Sequence, residues 1–322
     1  MVLSNTRTHK WNTGNIDMTH KILLDMDPGI DDAAAISIAL TDDQFDVKLL
    51  TTVAGNVSAD KTTLNALKLV EFFGVQNKVP VATGAQMPLL KHYQDASHVH
   101  GASGMPGWDF APVTTKPLAQ HAVEAMRDTL MASDEKLTLV ATGAFTNVAH
   151  LFRMYPETKA KIDRLVVMGG SLSGGNMSSV AEFNIYTDPH AAKIVFEAGL
   201  PIVMVGLDVT MKALLSHENI KKLGTLNEAG AMLQALLGNY ADDEIEGKPM
   251  HDVNTLFYLA HPEYFELTDY WVDVVTEGPA MGGTIADILR TSHDGQTNVS
   301  VATDIDVAAF NEWFMAEIAR IK

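Results

Sequence analysis

Ile22-Leu23-Leu24-Asp25-Met26-Asp27-Pro28-Gly29-Ile30-Asp31-Asp32 carries three structural signals in one short stretch. An apolar run stops at acidic residues, Pro28-Gly29 demands a turn, and residues 31–40 read as a helix with acidic groups in its first turn. Strand, tight turn and helix follow in that order. The alternation then continues: a strand over 48–54, a break at Gly55-Asn56, a helix through Leu64, Leu67, Val70 and Phe73, and a strand over 79–83. After a long loop over 84–116 come a helix near 121–131, a strand over 137–141, a helix over 146–153, and strands over 165–168 and 202–205. Residues 216–247 read as polar and helical, and 271–276, 284–289 and 299–305 as late strands. Short strands alternating with helix-length segments imply βαβ units. The expected fold is therefore α/β: a single-domain, open, mostly parallel Rossmann-like sheet with a mixed edge, flanked by helices. Residues 21–322 form that domain, and residues 1–20 are expected to be a disordered N-terminal extension.

Polar residues fall at the carboxyl ends of separate strands: Asp25 and Asp27, Asn56, Thr142, Met168 with Gly169, and Asp208. In open parallel sheets ligands bind at that edge, so the active site is expected there. Loops as long as 84–116 inside compact domains are usually functional, and this one is expected to lie over the site. A second glycine-rich loop spans 169–188.

Composition narrows the chemistry. The formal charge of −17 repels phosphate backbones and anionic membrane surfaces, which excludes nucleic acid as a partner. Hydrophobic residues make up 47% of the chain, yet no apolar run approaches a membrane span. Residues 1–20 lack the apolar core of a signal peptide, so the expected location is the cytoplasm. With no cysteine there is no thiolate site, and any metal must be held by oxygen or imidazole.

Asp25, Asp27, Asp31 and Asp32 crowd a strand end, a turn and a helix start. Like charges about 4 Å apart repel by about 4 kcal/mol at an effective dielectric of about 20. A divalent cation relieves that repulsion, and the hard oxygen donors suit calcium or magnesium. The simpler account, helix-dipole preference, covers Asp31 and Asp32 but not the other two.

Further blocks recur in order: Thr52-Val53-Ala54-Gly55-Asn56, His100-Gly101-Ala102-Ser103-Gly104, Thr142-Gly143-Ala144-Phe145-Thr146-Asn147, Val167-Met168-Gly169-Gly170, Asn176 with Ala181-Glu182-Phe183-Asn184, and Met250-His251-Asp252. With the acidic stretch, they resemble the inosine-uridine preferring nucleoside hydrolase family, and within it the bacterial broad-specificity ribonucleoside hydrolases. Two departures stand out. Met26 replaces a threonine at a position expected to point away from the metal, and Ala102 replaces a frequent acidic residue.

The resemblance implies hydrolysis of the N-glycosidic bond of ribonucleosides, giving ribose and free base in purine and pyrimidine salvage. It implies a Ca²⁺ held by Asp27, Asp32, Asp252 and the backbone carbonyl of Thr142. Asp27 would also take the proton from the attacking water, with Asn56 orienting it. Asp31, Met168, Asn176, Glu182 and Asn184 would hold the ribose. His251, beside a metal ligand, is the candidate acid for the leaving base, and His100 the candidate contact to base or ribose. Trp108 and Tyr240 are candidates for stacking on a base. Family members are typically homodimers or homotetramers, which sets the same expectation here. Two other readings remain: a non-catalytic calcium-dependent nucleoside or ribose binder, and a phosphatase of the haloacid-dehalogenase type. Against the latter, Pro28-Gly29 stands where that motif wants Thr or Val, and no phosphate loop is present.

Overall fold

In a computed structural model, which describes residues 19–241, 244 and 246–322, the opening apolar run forms β1 (His20–Met26). Pro28-Gly29 turns the chain into helix Ile30–Thr41, as its sequence dictates. The other strands in chain order are β2 (Phe45–Thr52), β3 (Val81–Thr83), β4 (Leu137–Ala141), β5 (Ile162–Met168), β6 (Ile202–Val205), β7 (Leu214–Ser216), β8 (Gly247–Pro249), β9 (Phe265–Tyr270), β10 (Val272–Val274), β11 (Thr284–Ala286) and β12 (Val299–Ile305). Eight of them make one sheet in the order β3-β2-β1-β4-β5-β6-β12-β9. Every pairing in it is parallel except β12 with the edge strand β9. The expected mixed edge is present.

Alternation along β1 sends successive side chains to opposite faces. Ile22, Leu24 and Met26 enter one apolar cluster, with helices Ile30–Thr41, Ala59–Phe72, Glu228–Leu237, Val253–Ala260 and Val307–Arg320. Leu23 enters the other, with Ala122–Ala132, Thr146–Met154 and Pro189–Phe196. Both faces of the sheet are thus covered, and its central strands are apolar on both sides. Met26 lies in the first cluster, on the face opposite to that of its strand neighbour Asp25.

The sequence reading and the structure differ at several elements. The stretch expected to be helical over 216–247 holds two shorter helices, His217–Leu223 and Glu228–Leu237, between strands β7 and β8, which pair with each other. The late strands expected over 271–276 and 284–289 pair with each other as β10 and β11, outside the main sheet. The edge position belongs instead to β9. The extension expected over 1–20 lies outside the described residues up to 18, and His20 already pairs with Phe45.

Candidate active site

Register brings the strand ends together. Asp25 of β1 pairs with Thr51 of β2 and Ala141 of β4, while Met168 of β5 pairs with Val205 of β6. The residues leaving these strands therefore emerge side by side, and a cavity opens at that edge. Its walls include Asp27, Asp31, Asn56, Thr142, Met168, Glu182, Asn184, His251 and Asp252. The loop over 84–116 supplies Ala96, His98, Val99 and His100, so it does cover the cavity.

Asp27 is held by the turn after β2. Asn56 donates its backbone N–H to Asp27 Oδ2 at 2.7 Å and its side-chain amide to the Asp27 carbonyl at 3.1 Å. The same amide donates to Asp32 Oδ2 at 3.0 Å, so one asparagine fixes two carboxylates. Gly55 permits this closeness, since a Cβ there would stand 1.9 Å from Asp27 Oδ2. Gly29 does the same for His100, whose Nδ1 would meet a Cβ at 2.5 Å. His100 Nδ1 accepts the Ile30 N–H at the start of the helix, which leaves the ring proton on Nε2.

Asp31, Asp32 and Asp252 are buried and offer oxygens within 4.8 Å of one another. No lysine or arginine is among the described residues lining the cavity. Burial, then the charge of Asp31, pushes Asp32 up to about 7. Burial and the charge of Asp32 hold Asp27 well above the usual carboxylate range, against the Asn56 hydrogen bond. Asp252 is raised by burial and by Asp31, Asp32 and Asp27. Closely spaced hard oxygens without a positive partner are the donor chemistry of a metal site. This group could hold one. Asp32 also accepts the Gly29 N–H at 2.9 Å, so it closes the helix start as well.

Asp25 does not join the group. It lies inside β1, before the strand ends, and its carboxylate is taken up there by Thr51 Oγ1 and Asn147 Nδ2, which donate to Oδ1 at 2.7 and 2.8 Å. Burial raises it to about 7. Asp208, also at a strand end, accepts from Leu172 N and Ser173 Oγ and secures the loop after β5.

Glu182, another lining residue, is buried and caps helix Phe183–Thr187, accepting the N–H groups of Asn184, Ile185 and Gly170. Asn184 donates to the carbonyls of Thr142 at 2.6 Å and Met168 at 3.1 Å. A carbonyl carries two lone pairs, so the Thr142 oxygen retains one for a cation. Asn176 accepts from Phe183 N at 2.9 Å. His251 Nδ1 lies 2.8 Å from Thr210 Oγ1.

Tyr240 lines the cavity, its ring 5.2 Å from that of His100, whereas Trp108 packs edge-on to Phe72. Met177, Phe183 and Ala241 are further wall residues without a sequence signal of their own, because loop paths alone place them. Thr210 was also hidden: nothing in its local sequence points to a histidine far along the chain.

The profile of the inosine-uridine preferring nucleoside hydrolase family matches residues 22–312. A non-specific ribonucleoside hydrolase of Klebsiella pneumoniae is 48% identical over 299 residues, covering 92% of this chain and 98% of its own. One from Salmonella paratyphi B is 47% identical over 298 residues, covering 92% and 96%. Among solved structures, the purine-preferring ribonucleoside hydrolase from Gardnerella vaginalis superposes with a TM-score of 0.87 at 31% identity, covering 94% of this chain and 98% of that one.

Proposed function

Because this chain belongs to the inosine-uridine preferring nucleoside hydrolase family, it hydrolyses the N-glycosidic bond of ribonucleosides, and we propose that Asp27 is its general base and that the buried carboxylates hold Ca²⁺. The carrying observation is the buried group of Asp31, Asp32 and Asp252, of which Asp31 and Asp252 line the cavity, with the charge of Asp32 acting on Asp27. Asp27, Asp32, Asp252 and the Thr142 carbonyl would be the protein ligands. Asp31 belongs to the group whose oxygens lie within 4.8 Å of one another and also lines the cavity, and in this reading it serves the ribose beside the ion. When bound, the cation would supply Lewis acidity toward water and an anchor for the vicinal ribose hydroxyls.

The chain's own residues perform the rest. Asp27, one oxygen fixed by Asn56, takes the proton of the water attacking C1′; its burial raises proton affinity toward what a base needs. Bond breaking leaves the sugar oxocarbenium-like, and an acidic wall with no lysine or arginine among the described residues favours that positive charge. Asn176, Glu182, Asn184 and Met168 hold the ribose, so that contacts distant from the bond orient it. The base departs with the bonding electron pair, and His251 gives it a proton. His100 and Tyr240 face the base.

This reading includes cytoplasmic salvage of purine and pyrimidine nucleosides by a homodimer or homotetramer, supported by the family resemblance. Size-exclusion chromatography tests the assembly. The functional test is incubation with inosine and with uridine, with and without chelator. Free base and ribose in equal amounts, lost on chelation and restored by Ca²⁺, are expected. Turnover indifferent to chelator sinks the metal assignment.

A further inference from the structure

We propose that Thr210 is the positioning residue of the leaving-group acid: its hydroxyl holds Nδ1 of His251, so that proton delivery to the base falls to Nε2. This rests on the reading of His251 as that acid. Thr210 ends the short helix Leu207–Thr210, which follows β6 through Gly206. Its side chain is fully buried, and its backbone N–H is tied to the Gly206 carbonyl at 3.1 Å. A β-branched side chain on an anchored backbone has few rotamers, so its Oγ1 is a fixed point. Nδ1 of His251 meets that point at 2.8 Å, and His251 itself lines the cavity.

An imidazole with one nitrogen held cannot flip, and the partner of that nitrogen decides where the mobile proton sits. With Nδ1–H donating to Thr210 Oγ1, the Nδ1 proton stays in place throughout the cycle. The imidazolium gives its Nε2 proton to the departing base nitrogen as the C1′–N electron pair leaves with the base. The ring ends as the neutral Nδ1–H tautomer, still bonded to Thr210. Without the hydroxyl, Nδ1 loses the partner that fixes this tautomer and this ring position. Substrate binding, which uses the ribose wall, is untouched.

The test compares a substrate that needs the acid with one that does not. Uridine and inosine leave as nitrogen bases that require a proton; p-nitrophenyl β-D-ribofuranoside releases a stable phenolate. Thr210→Val should lower kcat on uridine and inosine by about 30- to 100-fold, with KM within about twofold and p-nitrophenyl riboside turnover within about threefold of wild type. Thr210→Ser, which keeps the hydroxyl, should restore the nucleoside rate to within about threefold. His251→Ala should show the same split, larger. Should Thr210→Val not fold, Thr210→Ala carries the same comparison. Equal losses on both substrate types for Thr210→Val or Thr210→Ala, or failure of serine to rescue, overturn the positioning role. A split in His251→Ala without one at Thr210 overturns it too, while the acid reading stands. His251→Ala affecting both substrates equally removes the acid reading itself.

Discussion

Asp27 combines burial, a fixed hydrogen bond and like-charged neighbours, and each has its own experimental signature. Asp27→Ala should reduce kcat by about 10³-fold or more, within the range of a lost general base, and the protein should remain folded by circular dichroism. Near-wild-type turnover would remove Asp27 from the chemistry. Asp25 is the instructive contrast. It was legible as one more aspartate of an acidic cluster, yet its partners are Thr51 and Asn147. Its folded value near 7, above the ordinary 3.8, means that the folded chain binds this proton more tightly than the unfolded one. The stability it contributes is present below about pH 4 and is lost as pH rises to about 7. Asp25→Asn removes that titration, so its melting temperature should fall less between pH 4 and 8 than that of the wild type. An identical slope in the two proteins would show that Asp25 is ionised in the fold at all these values.

At the scale of elements, two short pieces of chain carry the site. Helix Phe183–Thr187 is too short to hold itself together, and Glu182 supplies the acceptors for its first N–H groups. Glu182→Ala should therefore destabilise the protein by about 1–2 kcal/mol in urea denaturation and raise KM, because that helix carries Asn184. Unchanged KM would separate the helix from ribose binding. The turn after β2 is as exacting. Gly55→Ala places a methyl group against the Asp27 carboxylate and should lower kcat far more than it lowers stability, read as turnover against melting temperature. Legibility varied by element for physical reasons. Helix Val307–Arg320 buries Phe310, Trp313, Phe314 and Ile318 at the spacing of an amphipathic stripe, yet the sequence reading ends at the strand before it. Helix Val253–Ala260 is buried over residues 253–259, the polar Asn254 and Thr255 included, so its burial cannot be read from an alternation of apolar and polar faces.

The whole molecule carries a net charge of −17 and concentrates part of it in one buried group. Asp32 near 7, with Asp27 and Asp252 also raised, costs the metal-free fold stability as pH climbs from about 4 to 7. A cation that binds only the folded chain restores it. The rise in melting temperature on adding Ca²⁺ should thus be small at pH 5 and grow toward pH 7.5, measured by thermal shift at constant ionic strength. A shift independent of pH would place the ion elsewhere. From the sequence alone came the alternation of strands and helices, the parallel sheet with its site at the carboxyl edge, and the hard-oxygen character of any metal site. These follow from local hydrophobic period, turn residues and the absence of cysteine, all of which act over a few residues. Asp252 and Tyr240 are already candidates in the sequence; the tertiary structure alone decided that Asp25 leaves the acidic group, that Trp108 packs against Phe72 instead of lining the cavity and that Thr210 meets His251. Such meetings depend on strand order, register and the paths of loops, and they join residues whose neighbours in the chain carry no trace of the encounter.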